Sequence, residues 1–125
     1  MRSTLRLLAI LLLVTACNDS GGPPPAGGGV TGEVHLLGDP PPQAQAGVAR
    51  LYISVADMDR ERPVAEVPLE GGPTDWTFEF ETIAAGRYYL NACFVFGCGD
   101  YADIEGNPAP LDVRPNETVT ANIAF

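Results

Sequence analysis

Lysine is absent from this chain, and histidine occurs once, at His35. The basic residues are therefore all arginine, and Lys+Arg total 7 against 16 acids. So negative a surface repels nucleic acid backbones and anionic lipid headgroups, which argues against both as partners. Serine is scarce too. Past the first few residues only Ser20 and Ser54 remain, so a Ser-His-Asp arrangement with His35 finds no support. Zinc would need two ligands beyond a cysteine pair, and strand alternation turns His35 outward, where it reads as a surface histidine. Paired carboxylates could hydrolyse glycosides only in a cleft that fixes two acids at a set separation, which a compact small domain seldom provides. The chain is expected not to be an enzyme, and no cofactor is implied. Long helices are argued against as well, because no helical period runs along the chain and 14 glycines and 12 prolines interrupt it.

What is present begins with an address. Arg2 and Arg6 precede an apolar stretch from Leu7 to Val14, the order of a secretory signal, and the stretch is too short to span a bilayer. The end of that stretch, Val14-Thr15-Ala16-Cys17, resembles the bacterial lipobox, in which the thiol receives a diacylglyceryl group. On that resemblance residues 1–16 are a lipoprotein signal peptide, Cys17 is the lipid-attachment residue and the mature N-terminus, and acyl chains such as palmitate moor the protein to a membrane. Two or more chains make such anchoring stable, at about 0.8 kcal/mol per buried CH₂. The alternative is an ordinary signal peptide whose Ala16 satisfies the small-residue rule. Asn18 rather than aspartate follows Cys17, which leans toward the outer membrane or cell surface over the inner membrane of a bacterial envelope.

Residues 17–29 read as a lipidated cysteine and a Gly/Pro-rich linker. Pro23-Pro24-Pro25 favours a stiff polyproline II spacer, and the glycines on either side are loose joints. No Lys-Ser/Thr pair follows Gly27-Gly28-Gly29, so a phosphate-binding loop is not supported. Residues 30–125 are then the length of one small domain with one core.

That segment alternates with period two. Trp76, Phe78 and Phe80 alternate with Thr77, Glu79 and Glu81, the clearest strand, with Trp76 expected in the core. Val30, Val34 and Leu36 alternate with Thr31, Glu33 and His35. Ala49, Leu51, Ile53 and Val55 alternate with Arg50, Tyr52 and Ser54, and each strand is expected to keep one wet face. Between Gly86 and Phe96 the inward set is Tyr88, Leu90, Ala92 and Phe94, with Arg87, Tyr89, Asn91 and Cys93 opposite. Pro63 and Pro68 confine the stretch between them to a sheet edge. Leu111 and Val113 turn through Arg114-Pro115-Asn116-Glu117 into a last strand carrying Val119, Ala121, Ile123 and Phe125, and Asn116 in its sequon reads as a turn residue. The expected fold class is all-β, a single antiparallel β-sandwich of about seven strands.

The stretch from Trp76 to Leu90 resembles the F-x-F-x-x-(L/I)-x-x-G-x-Y-x-L hairpin of carboxypeptidase regulatory-like domains, which are transthyretin-like or prealbumin-like sandwiches. Val30-Thr31-Gly32-Glu33-Val34 and Asn116 to Ile123 are similar to that family's first and last strands. The resemblance implies a prealbumin-like fold in which Gly86 permits a tight turn and Tyr88 returns to the core. It says little about function, because the family serves as regulatory, spacer and display modules without a shared active site.

Cys93 and Cys98 form a disulfide if the chain bends before Gly97, as an exported compartment would allow. Two acidic clusters, Asp57 to Glu61 and Asp100 to Asn107, could offer calcium its six to eight oxygens. Asp100, Asp103 and Glu105 are the weak metal candidates, in a region where related domains often carry a calcium-type loop, against a plain solvated acidic loop. Two functions remain open. One is a lipid-anchored structural or protein-interaction module facing an envelope protein or polysaccharide. The other is a carbohydrate-binding module that stacks sugars on Trp76, Tyr52, Tyr89 and Tyr101, favoured if Trp76 is exposed.

Overall fold

The computed structural model describes residues 27–38 and 46–124. Cys17, the signal and most of the linker lie outside the described residues. The chain folds into two sheets packed face to face, an all-β sandwich with one short helix. One sheet contains β1 (Gly28–His35), β4 (Glu70–Gly71), β5 (Asp75–Ile83), β9 (Thr118–Thr120) and β10 (Ile123–Ala124). The second contains β2 (Gly47–Tyr52), β3 (Ala65–Pro68), β6 (Gly86–Phe94), β7 (Gly97–Asp100) and β8 (Leu111–Val113). The helix α1 (Val55–Asp59) follows β2.

The alternation of β5 has its expected outcome. Trp76, Phe78 and Phe80 are buried and Thr77 and Glu79 exposed. They meet Val30 and Val34 of β1 on their own sheet and Leu51, Leu90, Ala92 and Phe94 from the other. Burying each large apolar side chain contributes about 1.5–3 kcal/mol, and both sheets contribute to this one layer. Trp76 and Phe94 meet edge to face across it, with ring centroids 4.8 Å apart.

Four expectations need correction. First, β5 and β6 are not a hairpin: β5 pairs with β1 and β4, β6 with β2, β7 and β8, so the chain arches from one sheet to the other. The left-handed residue at this arch is Thr82, at φ 56°. A Cβ at Gly86 would make only ordinary contact with the Tyr88 ring, 3.7 Å away. Tyr88 does fasten the arch, its hydroxyl donating to the Ala84 carbonyl at 2.6 Å. Second, the last strand is not antiparallel to the first. β9 and β10 both run parallel to β1, with a break at Ala121 and Asn122. Third, β2 stops at Tyr52, and Ile53 and Val55 are exposed rather than in the core. Ser54 caps α1 by accepting from the Asp57 amide at 3.1 Å, so capping overrides the alternation there. Fourth, Gly28 and Gly29 belong to β1, ahead of the expected domain start at Val30. A Cβ at Gly28 would overlap the Arg114 carbonyl and Val113, so this glycine serves close strand approach.

Gly32 has the same purpose at the middle of β1. The space a Cβ would take is filled by the Ala121 carbonyl and the Phe78 ring, while the Ala121 amide donates to the Thr31 carbonyl at 2.8 Å. Gly32→Ala is expected to cost about 1–3 kcal/mol by forcing the C-terminal strands off β1. Urea unfolding checks this, and a midpoint equal to wild type would refute the packing argument.

Candidate functional site

The outward face of the second sheet carries the polar side chains worth inspecting. In β2, Ala49 and Leu51 point into the core, so Val48, Arg50 and Tyr52 point the other way. Register then sets Glu66, Arg50, Asn91 and Asp100 side by side across β3, β2, β6 and β7. This face was expected to be wet. It is instead partly covered: α1 packs beside β2 with Met58 buried, Tyr52 has no exposed surface, and Asn91 keeps 5%. The covering leaves a hollow of about 270 Å³ lined by Arg50, Tyr52, Met58, Asp59, Glu61, Asn91, Cys93, Cys98 and Asp100.

Asn91 Oδ1 has no hydrogen-bond partner, and the buried Tyr52 hydroxyl has the Arg50 guanidinium beside it. Arg50 Nε donates to Glu66 Oε2 at 2.7 Å, and hydrogen bonding to Glu66 first, then to Tyr52, holds its pKa up. A buried acceptor without a donor costs about 1–3 kcal/mol. The Asp100 carboxyl adds to the imbalance. Burial pushes its pKa up, and the Asp59 charge pushes it further.

The two acidic clusters thus meet through Asp59 and Asp100, a juxtaposition their separation in sequence hides. Of the weak metal candidates Asp100, Asp103 and Glu105, the first lines the hollow and the second is engaged in its own loop. Asp103 turns its Oδ1 onto its own loop, accepting from the Glu105 and Asn107 amides at 3.0 and 2.9 Å. Among the described residues no three His, Cys, Asp or Glu side chains gather as a metal-binding group.

Cys93 and Cys98 are disulfide-bonded and directly opposite in the β6–β7 register, with Cα atoms 4.0 Å apart. The bend that this requires is the turn at Val95 and Phe96, followed by Gly97 at φ 151°, a conformation that favours glycine. Closing so short a loop stabilises by about 2 kcal/mol in the chain-entropy account. It also ties β7, and with it Asp100, against Asn91.

Elsewhere, a broader concavity of about 640 Å³ includes Thr31, Glu33, Thr77, Glu79, Glu81 and Asn122 in its lining. Beside it His35 is outward-facing, as expected, but engaged. Its Nδ1 meets Asp75 Oδ1 at 2.5 Å and its Nε2 meets Glu33 Oε2 at 3.3 Å. Of the aromatics considered for sugar stacking, Trp76 and Tyr52 are buried, while Tyr89 and Tyr101 are half-buried. Asn91 and Arg50 were assigned only to a wet face. The readable signal was Ser54-Val55-Ala56-Asp57, whose cap starts a helix that returns over that face. No family model, curated protein or solved structure matches this chain.

Two titrations follow. Asp100 has a folded pKa above its unfolded value of 3.8, so its ionisation weakens the fold as pH rises through that interval. Asp100→Asn is expected to raise the urea midpoint at neutral pH and leave it unchanged in acid below both values; a neutral-pH loss would contradict the assignment. The His35 pKa is raised above 6.5, first by its hydrogen bond to Asp75. Its stabilising contribution is complete below 6.5 and disappears as pH rises through the folded value. Imidazole NMR should give a titration midpoint above 6.5 that drops in Asp75→Asn.

Proposed function

We propose that this chain is a lipid-anchored cell-envelope module, similar to carboxypeptidase regulatory-like domains, that acts by structural or protein-interaction contact and not by catalysis. The anchor reading rests on Val14-Thr15-Ala16-Cys17, and the module reading on the all-β sandwich behind a Gly/Pro-rich spacer. The observation that carries the choice between functions is Trp76, which keeps 1% of its surface. A ring that closes the core between two sheets is withdrawn from stacking on a sugar, and Tyr52 is withdrawn with it. The outward features mix charged and polar groups with exposed apolar side chains such as Ile53, Val95 and Ile104, the mixture of a contact surface.

In this reading the partner is an envelope protein, and the spacer holds the sandwich away from the membrane to reach it. The prealbumin-like topology, the outer-membrane or surface location and the acylation of Cys17 are parts of the same proposal.

Fractionation and mass spectrometry test it together. The wild-type chain is expected in the membrane fraction with an acylated N-terminal cysteine, and Cys17→Ala in the soluble fraction. A soluble wild-type protein with Met1 retained would refute the anchor. Saturable binding on a glycan array by the folded protein would refute the choice of protein contact over sugar.

A further inference from the structure

We propose that the hollow between α1 and the outward face of the second sheet receives the ammonium end of a lysine side chain on a partner protein. This deepens the interaction reading by naming the site and the chemistry that enters it.

The hollow has a surplus of acceptors. Asp59, Glu61 and Asp100 line it, and Arg50, the cation among them, is held by Glu66 on the neighbouring strand. Asn91 is 5% exposed, yet its Oδ1 has no donor. A ligand that relieves all of this carries positive charge and several N–H groups. Calcium fits poorly, because no three carboxylate, imidazole or thiolate groups gather among the described residues and it takes six to eight oxygens. A primary ammonium needs fewer. It presents its donors from one point charge, which suits acceptors on neighbouring strands: Asn91 Oδ1 on β6 and the Asp100 carboxylate on β7, opposite each other in the register. A guanidinium is a flat fork matched to one carboxylate, and Arg50 already occupies the Glu66 side.

Size and lining agree with a side chain rather than a bare ion. The hollow measures about 270 Å³, whereas one water occupies about 30 Å³ in the liquid. Met58 and the Cys93–Cys98 disulfide supply a soft apolar wall for a four-carbon stem, while the polar groups wait for the charged head. This sequence contains no lysine, so a lysine side chain entering the hollow belongs to a different protein and not to a second copy.

The test is an NMR titration of the ¹⁵N-labelled full chain with Nα-acetyl-lysine amide at constant ionic strength. Parallel titrations use the uncharged norleucine analogue, the arginine analogue and calcium chloride. The lysine compound alone is expected to give saturable shifts at the Asn91 side-chain amide and the Asp100 backbone amide. Asp100→Asn and, separately, the helix-surface variant Asp59→Asn should each weaken it about fivefold. Absent saturation, equal shifts with norleucine, or tighter binding of arginine or calcium would overturn the proposal. So would Asp100-dependent binding to phosphatidylethanolamine vesicles in preference to phosphatidylcholine, which would assign the ammonium to a lipid. Because these titrations do not depend on Cys17, their failure leaves the anchored-module reading intact, and loss of membrane fractionation leaves this one intact.

Discussion

A single apolar layer between two sheets is the constraint on which the other features depend. Trp76, Phe78 and Phe80 project from β5, Leu90, Ala92 and Phe94 from β6, and the arch at Ala84 and Ala85 makes these consecutive strands face each other instead of pairing. Each sheet can bury that side only against the other. Once it is buried, alternation commits every intervening residue to an outer surface, and the polar row Glu66, Arg50, Asn91 and Asp100 follows without any local preference of its own.

How far this was legible depends on whether local periodicity or long-range placement decided each part. The period-two stretches of β1, β5 and β6 and the proline-marked edge at β3 could be read directly, because one-sided burial leaves a pattern in consecutive residues. Partner choice could not. Whether Phe80 leads into a hairpin or an arch, and whether Val119 runs along or against Val30, depends on contacts between distant residues. The short helix was obscured because Ile53 and Val55 continue the apolar alternation of Leu51, and only the Ser54 cap contradicts them.

The candidate site was less legible still. Its acids were visible as two clusters, but the meeting of Asp59 with Asp100 depends on α1 folding back over β2 and on β7 pairing with β6. Asn91 looked like a solvent-facing residue of a wet strand face. Its significance is that a covered face carries a polar group with an unmet acceptor. The cysteines were the exception, since their short spacing limited them to a bend that Gly97 could make.

The parallel pairing of the last strands with the first has a mechanical consequence. β1 is flanked on one side by β5 and on the other by β9 and β10, so both of its edges are paired, the second with a break opposite Gly32 and Glu33. Tension entering through residue 27 and drawn along β1 would load both rows of bonds in shear, simultaneously, where a pull across an edge strand would unzip them in turn. The first strand is thus the clamp that joins both ends of the described chain in one sheet.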